Sequence, residues 1–350
     1  MAISNSYGAF NYPVNQLIED AALDAGILPQ VLTADLLVRA MRQLNLMLTS
    51  MPNLRVYTWS QKQIIIPLYE NVSAVETPAG TFNLLDPQFR NPTRLEGTLT
   101  SSAGGTTANA DDDDFETLFT QSAPAGNLQI EFDTETQLYE LGILWGATAT
   151  VSYVIERSDD AITWLQVDDT QTVDAVDRAW TWFAPDGAVP SLYWRVRMTS
   201  GTLSAREVYF GGPYNDITIA KLSRSQYMQM PTKSQPGRPL QAWLDRQRET
   251  PILRVWQTPQ RLYRYYHIAA IQQKMFADVT TLRQTIDVPL RWLDTIKANL
   301  AIRICRTFPE ADKNRLPMLQ EQLAGTVMPA VSEDRDGADV QIYPNIRGYT

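Results

Sequence analysis

The chain offers few residues for chemistry, and their scarcity is the first result. There is a single histidine, His267, and a single cysteine, Cys305. A Ser-His-Asp or Cys-His arrangement would have to pass through His267. It sits among tyrosines on an alternating stretch, where a structural place outweighs a catalytic one. Cys305 borders the apolar face of a helix and reads as a small buried hydrophobe. One cysteine allows no internal disulfide, and the common zinc sites need more His and Cys ligands than the chain can supply. There is no Walker loop and no GxGxxG, and Gly104-Gly105 is a flexible turn rather than a phosphate cradle. Asp111 to Asp114 is the most conspicuous charge run. Oxygen ligands suit calcium, yet four consecutive acids reach one ion only through a tight turn, so a solvated run outweighs a cation site. Two carboxylates brought together from anywhere in the fold would suit glycoside hydrolysis, but no spacing here marks such a pair. The expectation is therefore no enzyme, no catalytic residue, no metal and no cofactor.

Charge is unevenly spread over the 350 residues, whose net charge is −9. Residues 94–210 hold six arginines, no lysine and nineteen acids, whereas the remainder holds 24 lysines and arginines against 20 acids. An acidic middle repels phosphate, so sequence-specific DNA binding is not expected. No apolar run approaches the ~20 residues of a membrane helix, and the polar stretch from Met1 to Pro13 shows no secretory signal. The compositional shifts suggest a domain inserted into a frame.

The frame reads as helical hairpins with short strands. Val14, Leu17, Ile18, Ala21, Ala22 and Ala25 recur at helical spacing, and Gly26 stops them. Thr33 is placed to cap a second helix carrying Leu37, Ala40, Met41, Leu44 and Leu48, ended by Pro52. The short connection predicts antiparallel packing of the two. Val56 to Trp59 and Ile64 to Ile66 read as strands, whereas 77–110 reads as loops and short strands. Residues 128–210 alternate with a period of two between close turn signals such as Asp159-Asp160, Pro185-Asp186-Gly187 and Ser200-Gly201, which predicts a sandwich. Most of its tryptophans (Trp145, Trp164, Trp180, Trp182, Trp194) should be core. Leu253 to Trp256 and Tyr263 to Phe276 read as strands. Asp287 and Pro289 open a helix with Leu293, Ile296, Leu300 and Ile304, and Pro317 starts a last one with Leu319, Leu323 and Val327. From Ser332 the chain reads as a polar tail, extended unless a partner orders it.

Two resemblances follow from particular stretches. TADLLVRAMRQLNLMLTSMP (33–52) with LRVYTWSQKQIIIPL (54–68), and ITIAKLSRSQYMQMPTKSQPGRPLQAWLDRQRETPILRVWQTP (217–259), are similar to the head-to-tail connector (adaptor, packaged-DNA stabilisation or tail accessory factor) proteins of short-tailed bacteriophages. The order of motifs is carried by Arg224, Tyr227, Lys233, Gly237-Arg238-Pro239, Trp243, Asp245, Pro251, Trp256 and Pro259. DVPLRWLDTIKANLAIRIC (287–305) resembles that family's late helix. Within the insert, the Ser158-Asp159-Asp160 turn, Trp164, the Tyr193-Trp194-Arg195-Val196-Arg197 strand and Glu207-Val208-Tyr209 resemble a discoidin-type (coagulation-factor C-domain) β-sandwich. The turn lacks the family's usual glycine, and no ligand-binding residue carries over.

Together these imply an α+β multidomain chain, an α-helical connector core interrupted by an antiparallel discoidin- or jelly-roll-like β-sandwich. The expected division is a frame at 1–90, the insert at 91–212, the frame again at 213–331 and a tail at 332–350. The connector resemblance implies a ring of twelve copies at the head–tail junction of a virion assembled in the host cytoplasm. The ring would lie between a portal protein and the tail nozzle and pass double-stranded DNA without sequence specificity and without a membrane. It also implies a tail docking on the portal, with Val340, Ile342, Tyr343, Ile346 and Tyr349 as contacts. The discoidin resemblance supports a rival, a glycan- or cell-surface-binding module of a phage tail. A cell-wall hydrolase is a third reading.

Overall fold

A computed structural model describes residues 12–51, 60–185, 189–247 and 250–333. By contact the chain divides into two compact units, 1–62 with 78–83 and 272–350, and 63–77 with 84–271. Five α-helices occur among the described residues: α1 (Val14–Asp24), α2 (Ala34–Ser50), α3 (Arg224–Gln229), α4 (Leu293–Thr307) and α5 (Leu316–Glu333). None of the described helices is long and apolar enough to cross a membrane.

The first unit is built from α1, α2, α4 and α5. Val14, Leu17, Ile18, Ala21 and Ala22 form the buried face of α1. The chain leaves that helix through Gly26 at φ +83°, a conformation that favours glycine. Thr33 Oγ1 accepts a hydrogen bond from Leu36 N at the start of α2, as its position predicts. The buried face of α2 is Leu36, Ala40, Leu44, Met47 and Leu48, with Leu37 and Met41 partly buried. The expected α1–α2 hairpin is present, but both helices pack more extensively on α4 than on each other. The reason is in α4 itself: Ile296, Ala298, Leu300, Ala301, Ile302, Ile304 and Cys305 bury most of its circumference. A helix apolar nearly all round belongs at the centre. Cys305 is a free, buried thiol there. In α5, Leu319 and Ala330 are buried, while the expected Leu323 and Val327 are only partly so.

The second unit is mostly β. Its strands are drawn from β1 (Gln61–Pro67), β2 (Ala74–Glu76), β3 (Thr81–Arg94), β4 (Thr98–Ser101), β5 (Phe119–Thr120), β6 (Asn127–Thr136), β7 (Glu140–Trp145), β8 (Ala149–Ser158), β9 (Leu165–Gln166), β10 (Gln171–Ala175), β11 (Trp180–Phe183), β12 (Ser191–Ser200), β13 (Ser204–Thr218), β14 (Ala220–Lys221), β15 (Gln241–Asp245), β16 (Ile252–Trp256) and β17 (His267–Lys274). One sheet runs β1-β17-β3-β13-β7-β11 with β5 on β13, and a second runs β10-β8-β12-β6-β4 with β9 on β8. A third, small sheet runs β14-β15-β16-β2. The first two sheets enclose a core that includes Leu128, Ile130, Ile143, Tyr153, Trp194, Val196 and Val208. The antiphase reading of β12 holds: Trp194, Val196 and Met198 are buried, and Arg195 and Arg197 turn out to grip Glu156 at 2.6 and 2.7 Å. Trp145, Trp180 and Trp194 are buried, whereas Trp164 and Trp182 are half-buried.

Two expectations are corrected. Residues 81–94, expected among loops and short strands, form the 14-residue strand β3. Its Leu84, Phe89 and Arg90 are buried and it has a neighbour on each side, so pairing overrides the two prolines, Pro87 and Pro92, within it. Residues 263–266 are not strand. A 3-10 turn covers Arg261–Tyr263, and Tyr263 and Tyr266 both pack edge-on against Phe89 at 5.7 and 5.2 Å, which holds the chain in a turn until His267.

The expected boundaries at 90/91 and 212/213 also do not separate compact units. β3 and β13 run through them without a break, paired from Gly211↔Arg94 to Thr218↔Gln88. Segments 63–77 and 213–271 therefore group with the sandwich rather than with the helices. Val56–Trp59, part of the Pro185-Asp186-Gly187 turn and nearly all of the 332–350 tail lie outside the described residues.

Candidate functional site at the root of the sandwich

The residues that carry the connector resemblance converge on one small module in the second unit. Ser223 and Gln226 form a capping box that starts α3. Tyr227, on that helix, is buried against the Trp243 ring at 5.2 Å. Lys233 folds back to donate to the carbonyls of Met228 and Met230 at 3.2 and 3.3 Å, groups that the helix end leaves unpaired. Trp243 and Arg254 are cross-strand partners on β15 and β16, and Arg254 reaches Asp245 at 3.4 Å. Trp256 Nε1 donates to Thr232 O at 2.9 Å. Gly237 N bonds Thr258 O at 2.9 Å, and a Cβ on Gly237 would lie 2.2 Å from Gln257 Oε1. Pro239 is buried and Arg238 half-buried, while Arg224 is exposed at the start of α3 and stands apart from the cluster. These side chains hold one another and leave no cleft of catalytic character, so their role is architectural.

Next to it lies a chain of buried charge that the sequence reading did not assemble. Arg90, on β3, donates to Glu140 Oε1 at 2.7 Å and through two nitrogens to Asp216 at 2.8 Å, with its guanidinium 3.6 Å from the Tyr214 ring centre. His267 is fully buried, its Nε2 3.1 Å from Glu140 Oε2 and its ring 4.5 Å from that of Trp182. The single histidine thus closes a structural ion cluster. Four residues along β3, Arg94 repeats the theme. It holds Glu207 at 2.5 Å, Asp113 at 3.0 Å, and Asp111. Tyr265 donates its hydroxyl to Asp113, and Arg264 lies 3.2 Å from the same carboxylate.

The acidic run is accounted for by these contacts. Asp111 and Asp113 belong to Arg94, Asp112 Oδ1 accepts from Asp114 N at 2.9 Å and Thr117 Oγ1 at 3.1 Å, and Asp114 Oδ1 accepts from Glu116 N at 3.0 Å. Among the described residues no group of three or more His, Cys, Asp or Glu is placed to hold a metal. Burial works to raise Asp113, and Tyr265, Arg94 and Arg264 together outweigh it and hold the carboxyl below its usual range. Glu207 goes the other way: burial pushes its carboxyl up to about 7 and Arg94 only partly offsets that.

Beside this cluster opens a cavity of about 170 Å³ walled by Tyr69, Phe115 and Trp180 over Leu68 and Leu144. Trp180 N donates to Tyr69 Oη at 3.1 Å, which fixes two of the walls to each other. Trp182 stacks on Trp180 at 5.1 Å, and Phe115 meets Trp180 edge-on at 5.7 Å. Three arginines, Arg178, Arg206 and Arg264, stand at its rim.

No family model matches the chain. No curated protein matches it. Solved structures similar to it include a CBM32 of AlyQ in complex with 4,5-unsaturated mannuronic acid, at 17% identity and TM-score 0.30, covering 33% of this chain and 96% of that one. Another is the CpGH89CBM32-6 module of Clostridium perfringens, at 13% identity and TM-score 0.30, covering 34% of this chain and 97% of that one. A third is a chitosan-binding module from a Paenibacillus chitosanase/glucanase, at 21% identity and TM-score 0.29, covering 35% of this chain and all of that one.

The sequence reading placed the architectural residues but missed both arginines of β3 and the cavity. Arg90 and Arg94 lay in a stretch read as loop, where a positive charge carries no signal of burial. Phe115 follows the acidic run directly and was passed over for it. The tail residues Val340, Ile342, Tyr343, Ile346 and Tyr349 lie outside the described residues.

Proposed function

We propose that the chain is a non-catalytic building block of a short-tailed phage particle, an adaptor that assembles as a ring between portal and tail nozzle. The observation that carries this reading is the module around Tyr227 and Trp243. Residues spread over 224–256, whose order is the basis of the connector resemblance, fold into one self-supporting unit. The helical unit drawn from both ends of the chain agrees with it. A ring needs two different complementary faces on each copy, and DNA would pass through it by weak, sequence-independent contact. The sandwich then serves as a fixed projection, since it shares β3 and β13 with the segments that flank it. Electron microscopy of the purified chain, alone and with the portal protein of the same phage, tests this. A ring stacked coaxially on the portal is the expected outcome, and a monomer that ignores the portal sinks the reading.

A second reading has its own observation. The aromatic cavity at the root of the sandwich is a concave, mostly apolar site with a polar rim, the general character of a small-ligand pocket. It supports a glycan-binding role for the sandwich, alone or in addition to the adaptor role.

A further inference from the structure

We propose that this cavity receives a single uncharged pyranose ring, the end or branch of a glycan; the proposal rests on the second reading above. Three properties of the site select that ligand. The first is size. About 170 Å³ is the space of five or six waters at roughly 30 Å³ each, enough for one six-membered ring and too little for two. The second is the walls. Phe115, Trp180 and Tyr69 present aromatic surface, which favours contact with an apolar ring face while polar edges remain solvated.

The third is the charge of the rim, and it decides against an anion. Each rim arginine already has a carboxylate. Arg178 grips Glu116 through two nitrogens at 2.8 and 2.6 Å. Arg206 lies 3.0 Å from Asp177 and also donates to Phe115 O at 3.2 Å. Arg264 lies 3.2 Å from Asp113, with its guanidinium 5.0 Å from the Phe115 ring centre. Glu70, exposed at the same rim, adds a further negative charge. A carboxylated ligand would have to displace one of these acids. A hydroxyl need not, because it donates and accepts at once. The Arg178–Glu116 pair uses two of the five N–H donors of a guanidinium and keeps unused lone pairs on the carboxylate. Adjacent donors and acceptors of this kind match neighbouring ring hydroxyls. The fixed partners also hold the arginines in place before a ligand arrives, which lowers the ordering cost of binding.

Saturation-transfer NMR on the full chain tests the proposal. The probes are the methyl β-glycosides of galactose, glucose and N-acetylglucosamine, with galacturonic acid and glucosamine as charged counterparts. The expected result is transfer from the protein to at least one neutral glycoside at millimolar concentration. In Phe115→Ala, binding should weaken roughly two- to tenfold, the share of one ring contact. Arg178→Ala, which alters a half-exposed side chain, should weaken it without disturbing the fold. Its melting temperature serves as the control should Phe115→Ala prove unstable. Tighter binding of galacturonic acid than of every neutral glycoside overturns the choice of ligand. A sugar that binds wild type and both variants alike, but not Trp164→Ala on another part of the sandwich, overturns the site and leaves the glycan reading standing. No binding by any probe at tens of millimolar overturns both.

Discussion

Glu207 shows how much a single buried residue can set the response of the second unit to pH. Its side chain is fully buried beside Arg94, yet burial outweighs that partner and pushes its carboxyl from 4.5 to about 7. Between those values the folded chain holds a proton that the unfolded chain releases. The contribution to stability is therefore complete below about pH 4.5 and is lost as pH rises through 7. Its size is about 3 kcal/mol. Glu207→Gln, which mimics the protonated form, should match wild type near pH 4.5 and exceed it at pH 8. Thermal melting across that range checks it; parallel curves for the two proteins would contradict the assignment. Asp113 carries the opposite sign, because its carboxyl is held low: its contribution is present above the usual carboxylate range and is lost as the medium is acidified. Asp113→Asn should accordingly lower stability at neutral pH and converge with wild type in acid, which the same melting series reads. None of this was visible in the sequence, where Asp113 is one acid of four and Glu207 one polar residue in a strand.

At the scale of elements, periodicity made the helices legible and punctuation concealed one strand. The apolar spacings of α1, α2 and α4 and the cap at Thr33 are local properties, and they survive into the fold. The alternation in β6, β8 and β12 is likewise local, with one face buried and the other wet. Strand β3 is different. Pro87, Pro92 and Asp86, the last at φ +42°, break its pattern, and only the strands beside it make it a strand. Asn45 is a second long-range case. The spacing placed it off the apolar face of α2, and correctly, but its amide turns out to pair with both the N–H and the C=O of Val279 at 2.9 Å, anchoring a distant extended segment to that helix. Asn45→Ala leaves both backbone groups without their partner and should cost about 1–3 kcal/mol. Urea unfolding of the full chain measures it. A change within about 0.5 kcal/mol, as at an ordinary surface position, would mean that water replaces the amide at no cost.

For the molecule as a whole, the acidic middle was legible as a composition shift, but the shift does not mark where the sandwich can be cut. A piece restricted to 94–210 keeps both sheets of the sandwich core and loses Arg90, Asp216 and His267. Glu140 would then lose the two groups that face it while its immediate surroundings on β7 and β13 stay apolar. Removing one partner of a buried ion pair costs about 3–5 kcal/mol, a large part of the 5–15 kcal/mol that an ordinary domain has. The piece 63–271 retains the whole cluster and the small sheet around Trp243. It should melt cooperatively with native near-ultraviolet dichroism, whereas 94–210 should melt at least several degrees lower or lose its fixed aromatic signal. Equal melting of the two pieces would show that the sandwich is an independent insert after all, held to its neighbours by continuity of chain alone. Unequal melting would mean that any binding assay on the sandwich must include the strands that root it, because the cavity walled by Tyr69 and rimmed by Arg264 draws on residues from both sides of 94–210.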